Sequence, residues 1–227
     1  MFIWDWNYLL ITAPALILAI WAQMRVQATY HEAQRMPAPL SGAGAARHVL
    51  DSAGLTDVAI EQVGGFLSDH YDPRAKVLRL SPQVYQSRTL AAVGIAAHEA
   101  GHALQDAEQY APMTVRNAAV PLASFGSNAA FIIFFLGLML QMTTLVWLAI
   151  ILFGGVVFFQ LVNLPVEFNA SARAKQQLVS LGIIDSRQLA VVSKVLNAAA
   201  WTYVAATLQA VLTLLYFLLR ASGSNRD

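Results

Sequence analysis

The sequence predicts a mainly helical, polytopic membrane protein: about four transmembrane helices and a small mixed α+β region held on one side of the bilayer. Three observations carry this expectation. Of 227 residues, 57% are hydrophobic and only 12% charged, too apolar for an ordinary soluble domain, so much of the chain must meet lipid. Four runs are long and apolar enough to cross a hydrocarbon core, at about residues 8–23, 118–140, 144–161 and 200–219, and the last three contain no charged side chain. The polar sequence gathers in two stretches, about 24–116 and 163–197, where short strand and helix patterns alternate with turn residues. A formal net charge of +1 with no basic patch argues against nucleic acid as a partner. Cysteine is absent, which excludes disulfides and thiolate metal sites.

The first run follows Met1 to Asn7, which carry Asp5 and no basic residue, and no small-residue cleavage site follows it. It reads as a retained anchor, residues 1–24, with Trp4, Trp6, Tyr8 and Trp21 in interfacial belts and Pro14 placed to kink it. Region 25–116 opens with a loop marked by Pro37, Pro39, Gly42 and Gly44. A helix over Ala45 to Ala53 follows, stopped by Gly54. Val58 to Val63 and Lys76 to Leu80 read as strands, separated by Gly64-Gly65 and the turn Asp72-Pro73-Arg74. Ser81-Pro82 suits a helix cap and first residue, and a further helix covers about Arg88 to Ala107. Residues 117–163 form a membrane hairpin around the uncharged turn Gln141-Met142-Thr143. In region 164–199, Pro165 interrupts or begins a helix running to Leu181, Gly182 stops it, and Ser186 is placed to cap the next. Residues 200–227 supply the fourth span and a tail. Gly126 and Gly154-Gly155 read as helix-packing positions.

Arg25, Arg35 and Arg47 follow the first span, Arg116 precedes the second, and Arg173 and Lys175 follow the third. By the preference of basic residues for the cytoplasmic side, both polar regions face the cytoplasm and both termini lie outside. Arg220 and Arg226 fit that placement poorly, so a tilted or partly interfacial fourth helix is the alternative to a full span.

Chemistry enters at His98-Glu99-Ala100-Gly101-His102. Four residues apart on a helix, His98 and His102 share a face, so both imidazoles can hold one zinc ion (Zn2+) while Glu99 stands beside the metal's open position. This is the zincin signature, which makes the polar region a zincin-like catalytic one; the bland alternative is a helix with two exposed histidines. Histidine and carboxylate also accept other first-row ions, and zinc is the ion this motif ordinarily holds. Gly101 within the motif points to another backbone passing close to the helix, or else is a tolerated helix glycine costing about 1 kcal/mol against alanine.

A catalytic zinc needs a third protein ligand. Glu108 stands where the extended motif puts one, but Gln105 occupies the glycine position that its turn requires. Asp106 shares the histidine face, one turn too far for its short side chain. Glu167, directly after the third span, returns to the same membrane side as the histidines, and a buried glutamate there is costly unless paired or metal-bound. The alternative for Glu167 is a solvated interfacial acid.

The motif segment, Asp69-His70-Tyr71-Asp72-Pro73-Arg74, Leu78-Arg79-Leu80-Ser81, Leu164-Pro165-Val166-Glu167-Phe168-Asn169-Ala170-Ser171 and Leu196 to Ala206 resemble the YugP-like neutral zinc metallopeptidases of bacterial membranes. The resemblance covers most of the chain after about residue 25. It implies a zinc peptidase in the bacterial inner (plasma) membrane. The arrangement is also similar to prenyl-protein and HtpX-type membrane peptidases, whose zinc glutamate begins Glu-x-x-x-Asp. Ser171 stands in the aspartate's place, so Asn169, Ser171 or a backbone carbonyl is left to orient a ligating histidine.

The expected reaction is peptide hydrolysis, with His98, His102 and Glu167 as metal ligands and Glu99 as general base, then general acid. Arg173, His70, Tyr71 and Tyr85 are candidates for a second oxyanion donor. The strand Lys76 to Leu80 is a candidate edge for pairing with an extended substrate. Expected partners are the bilayer and membrane-proximal protein or peptide substrates; the sequence does not set the oligomeric state. Two rivals are a membrane scaffold with structural zinc, disfavoured by an open three-ligand site, and an ion transporter, disfavoured because spans two to four carry no ionisable group. His31 and His48 read as ordinary surface residues.

Overall fold

The computed structural model describes residues 5–65 and 68–223; Trp4 and Arg226 lie outside the described residues. The chain is mainly helical, in the order α1 (Trp6–Gln34), α2 (Gly42–Ser52), β1 (Ala59–Gln62), β2 (His70–Asp72), β3 (Val77–Leu80), α3 (Pro82–Gln86), α4 (Leu90–Ala107), α5 (Ala111–Met139), α6 (Thr143–Ser180) and α7 (Ser186–Gly223). Among the described residues, α1, α5, α6 and α7 are long and apolar enough to cross a membrane. They carry all four runs expected from the sequence. The chain forms two compact units: Met1–Trp21 with Thr114–Pro165 and Trp201–Asp227, and Ala22–Met113 with Val166–Ala200.

The first unit is built from segments of the four long helices. Its interior is aromatic: Phe134 stacks on Phe217 with centroids 3.9 Å apart, and Phe131 meets both Phe153 and Phe217 edge to face. Leu10, Ile17, Ile132 and Ile151 stand exposed, an apolar outer surface of the kind a membrane-crossing helix presents. Two glycines allow close packing here: a Cβ on Gly126 would sit 2.9 Å from the Leu152 carbonyl oxygen, and one on Gly155 2.7 Å from Leu122. Gly154, expected to act likewise, faces open space.

The second unit holds the sheet and α4. The strand order is β1-β3-β2, with β1 parallel and β2 antiparallel to β3. β2 was not anticipated: three residues with polar ends give no alternation to read. Its insertion overturns one expectation, because β3 is the central strand, hydrogen-bonded on both sides, and has no free edge for a substrate. Ser81 occupies the cap position of α3 with Pro82 behind it, but its side chain does not cap. Its backbone N–H and hydroxyl donate to the Asp69 carboxylate instead, at 2.7 and 3.1 Å.

α4 begins where the Thr89 hydroxyl accepts from the Ala92 N–H. Fourteen of its eighteen residues are buried, so it is the central rod of the unit rather than a surface helix. Alanine and glycine give it that role, since small side chains let neighbours approach on every face. Val49 and Leu50 of α2, Leu78 and Leu80 of β3, Val166 and Leu178 of α6, and Val192 and Leu196 of α7 complete this core with Val93, Ala96, Ala97 and Ala100.

Pro165 neither breaks nor starts a helix, as the sequence suggested; α6 runs through it unbroken. The proline sacrifices one backbone hydrogen bond and is itself exposed. Gly182 (φ +66°) and Gly54 (φ +74°) end α6 and α2 in the left-handed conformation, as expected. The cap of α7 is Asp185 rather than Ser186: its carboxylate accepts from the Gln188 N–H at 2.8 Å, and the Gln188 side chain accepts from the Asp185 N–H.

Candidate metal centre

His98 and His102 sit one turn apart on α4, their rings 4.8 Å apart and nearly perpendicular. Neither is a surface histidine, with side chains 13% and 10% exposed, which removes the bland reading of the motif. α6 passes them at very short range. A Cβ on Gly101 would lie 2.7 Å from the Ala170 carbonyl oxygen, so Gly101 is the residue that admits this approach rather than an incidental glycine. The crossing delivers Glu167, one turn before Ala170, to the two imidazoles.

Glu167 Oε2 is 3.3 Å from His98 Nε2 and 3.7 Å from His102 Nε2. One ligand atom from each residue lies within 4.8 Å of the other two. A tetrahedral zinc with bonds of roughly 2.0–2.2 Å holds its ligand atoms roughly 3.3–3.6 Å apart, and the two distances from Glu167 to the imidazoles match that spacing. Three ligands leave one tetrahedral position open. The electrostatics agree. Burial opposes charge on Glu167, yet hydrogen bonds and charge interactions with His102 and His98 hold its carboxyl well below the usual carboxylate range. Burial likewise pushes the His102 imidazole down, but Glu167 and the nearby Glu99 charge more than reverse this and favour its cation. The pocket therefore stabilises positive charge among these side chains.

Each histidine has a partner on its other nitrogen. His98 Nδ1 meets Ser171 Oγ at 3.1 Å, so of the three candidates for orienting a histidine it is the serine in the aspartate's place that does so. His102 Nδ1 meets Gln105 Oε1 at 3.0 Å. Gln105 was read only as a misfit in the longer motif, although a position three residues past a ligand on the same helix shares its face. Glu99 is buried on the same helix.

The other candidates are engaged elsewhere. Asp106 accepts from the Tyr71 hydroxyl at 2.9 Å, tying β2 to the end of α4. Glu108 is exposed and paired with Arg173 at 2.7 Å, and Arg173 Nε also donates to Asn169 at 2.7 Å. His70 is exposed, with Nδ1 2.8 Å from the Ser68 carbonyl, and Tyr85 packs against the core. His31 and His48 are exposed, as expected.

Two histidines one turn apart on one helix and a glutamate from a second make a candidate centre of the two-histidine, one-carboxylate class, in a chain with four helices of membrane-spanning character among the described residues. Residues 8–222 match the family described as "Putative neutral zinc metallopeptidase", and the chain belongs to that family. It is 45% identical over 214 residues to "Putative membrane protease YugP" of Bacillus subtilis (strain 168), covering 93% of this chain and 95% of that protein. No solved structure matches the chain. The family expected from the motif and its flanking segments is thus the one found.

Proposed function

We propose that the protein is a membrane-embedded zinc metalloendopeptidase that cleaves membrane-proximal protein substrates at the cytoplasmic face of the bacterial plasma membrane, in membrane-protein processing or quality control. The observation that carries this reading is the convergence of His98, His102 and Glu167 beside Glu99. His98, His102 and Glu167 hold the metal; bound zinc supplies Lewis acidity to a water molecule and to the scissile carbonyl. Glu99 takes a proton from the attacking water and returns it to the nitrogen as the carbon–nitrogen bond breaks, so the products are a free acid and a free amine. Its burial on α4 keeps that carboxylate out of bulk solvent. The family, the membrane-protease relative and the four long apolar helices support the class; the basic residues around the spans support the cytoplasmic side.

The test is Glu99→Gln in the full chain. Peptide hydrolysis falls by about 10²–10⁴-fold while metal content is retained, since the carboxamide cannot relay a proton. Undiminished hydrolysis in that variant would remove Glu99 from the mechanism. Loss of metal with activity would make it a ligand instead. The chain has no cysteine, so Glu61→Cys on exposed β1 reports sidedness. Labelling by an impermeant maleimide is expected in inverted vesicles and not in intact cells.

A further inference from the structure

We infer that Gln105 is a positioning residue of the metal centre, whose buried carboxamide fixes the tautomer of His102 and ties that histidine to the backbone carrying Glu167. The inference rests on the metal-binding reading above. Gln105 is 0% exposed, so every polar atom it carries needs a partner within the protein. All of them have one: Nε2 lies 2.9 Å from the Val166 carbonyl oxygen and 2.9 Å from Asn169 Oδ1, and Oε1 lies 3.0 Å from His102 Nδ1.

The orientation of the amide follows from groups that have no choice. A backbone carbonyl only accepts, so the Gln105 atom facing Val166 O is the nitrogen. A guanidinium only donates, so the Asn169 atom 2.7 Å from Arg173 Nε is the oxygen, and the same oxygen accepts the second Gln105 N–H. Arg173 is held in turn by Glu108 at 2.7 Å and lies over the Tyr110 ring. With both N–H groups directed at these acceptors, Oε1 must face His102. An amide oxygen cannot donate, so His102 Nδ1 carries a proton, and in the neutral ring that a metal would bind the lone pair falls on Nε2, the nitrogen facing Glu167.

The two histidines differ in this respect. The Ser171 hydroxyl beside His98 can donate or accept, so it steadies that ring without dictating its tautomer. Only His102 has its protonation pattern imposed. The second function of Gln105 is spatial. Val166 is the residue before Glu167, so one side chain of α4 grips a ligand of its own helix and the peptide unit that leads into the ligand of α6. A glutamine suits both tasks, because an ionised carboxylate could not donate to Val166 O.

The experiment uses the detergent-purified full chain with Co2+ as the probe, its visible bands reporting coordination geometry and a competing chelator reporting affinity. Wild type binds about one Co2+ per chain and His98→Ala loses it. In Gln105→Met, unbranched and of similar length but without polar atoms, affinity drops on the order of 10–100-fold and the bands change shape. Gln105→Glu, which keeps an acceptor against Nδ1 but cannot donate to Val166 O, recovers only part of the affinity. Wild-type affinity and spectrum in Gln105→Met, or equal losses in the Met and Glu variants, would overturn the positioning role while leaving the metal site intact. Absence of Co2+ binding by folded wild type would instead overturn the metal-site reading. If Gln105→Met does not purify folded, Asn169→Ala decides: it removes one of the two acceptors that orient the amide, a smaller loss of affinity than in Gln105→Met is expected, and an unchanged affinity overturns the proposal.

Discussion

Replacing Gly101 by alanine should damage the metal centre more than the fold. The new Cβ would stand 2.7 Å from the Ala170 carbonyl oxygen and 3.3 Å from both its Cα and carbonyl carbon. The shortfall from ordinary contact is about 0.7 Å, and backbone on both sides leaves no flexible side chain to yield. α6 must therefore move off α4, and Glu167 moves with it. Two effects on stability oppose each other: alanine gains about 1 kcal/mol of helix propensity, and overpacking costs about 1–3 kcal/mol. The net loss is about 0–2 kcal/mol, a few degrees in Tm for a chain of this size. Zinc tolerates only about 0.2 Å in its bond lengths, so displacement of one ligand by several tenths of an ångström should weaken zinc binding at least tenfold. The assay is zinc affinity by chelator competition alongside thermal melting in chelator, with Gly154→Ala as control, where no neighbour lies within 4 Å of the added carbon. Gly101→Ala with wild-type zinc affinity and a raised Tm would refute the close-approach reasoning.

Three further outcomes are expected. Ser171→Ala leaves His98 Nδ1 without its 3.1 Å partner, and zinc affinity should fall about tenfold, the low end of such effects because water reaches this ring; an unchanged dissociation constant would deny the serine an orienting role. Metal affinity should weaken on acidification, beginning above the ordinary histidine value of about 6.5. The sign follows from His102: its raised pKa means the metal-free site binds a proton that zinc must displace, whereas Glu167, held low, adds competition only in strong acid. Isothermal titration at stepped pH checks this, and constant affinity between about pH 8 and 6 would contradict it. Finally, zinc at about 100 times its dissociation constant should stabilise the protein by about 2.7 kcal/mol, raising Tm by roughly 5–10 °C, a rise absent in Glu167→Ala. Equal melting with zinc and with chelator would count against the site.

The features legible in the sequence are those set by local periodicity. Hydrophobic runs mark the four long helices because spanning length and composition are properties of a segment alone. The His98–His102 spacing needed only the helical repeat. Glu167 required one long-range step, that α6 returns to the histidine side, and the third-ligand choice followed from rejecting Asp106 and Glu108 on reach and turn geometry. What stayed hidden depends on which elements meet. Nothing local to Gln105 or Ser171 says that α4 and α6 cross at Gly101 and Ala170, so neither partner of the imidazoles could be assigned. β2 exists because Tyr71 and its neighbours pair with β3, and its presence is what closes β3 to a substrate. Pro165 misled for the opposite reason: a local rule against proline in helices was overridden where an apolar run precedes it and Val166, Ala174 and Leu178 after it are buried in the core.

The composition of α4 and the polarity of the centre are two sides of one constraint. Burying His102, Gln105 and Glu167 in an apolar core costs several kcal/mol per unpartnered group, so the centre is tolerable only if the helices come close enough for each to be answered. Large side chains along the face of α4 that meets α6 would hold the backbones at the usual 8–10 Å and leave Gln105 short of Val166 and Asn169. Gly101, with the small Ala97 one turn before it on the same face, removes that spacing. The same residues that contribute little hydrophobic area are thus what permit three ligand atoms from two helices to gather within 4.8 Å. Stability forgone in core volume is offset by hydrogen bonds and, once a cation is bound, by its interaction with Glu167. Metal occupancy and packing of α4 against α6 should therefore be one equilibrium rather than two.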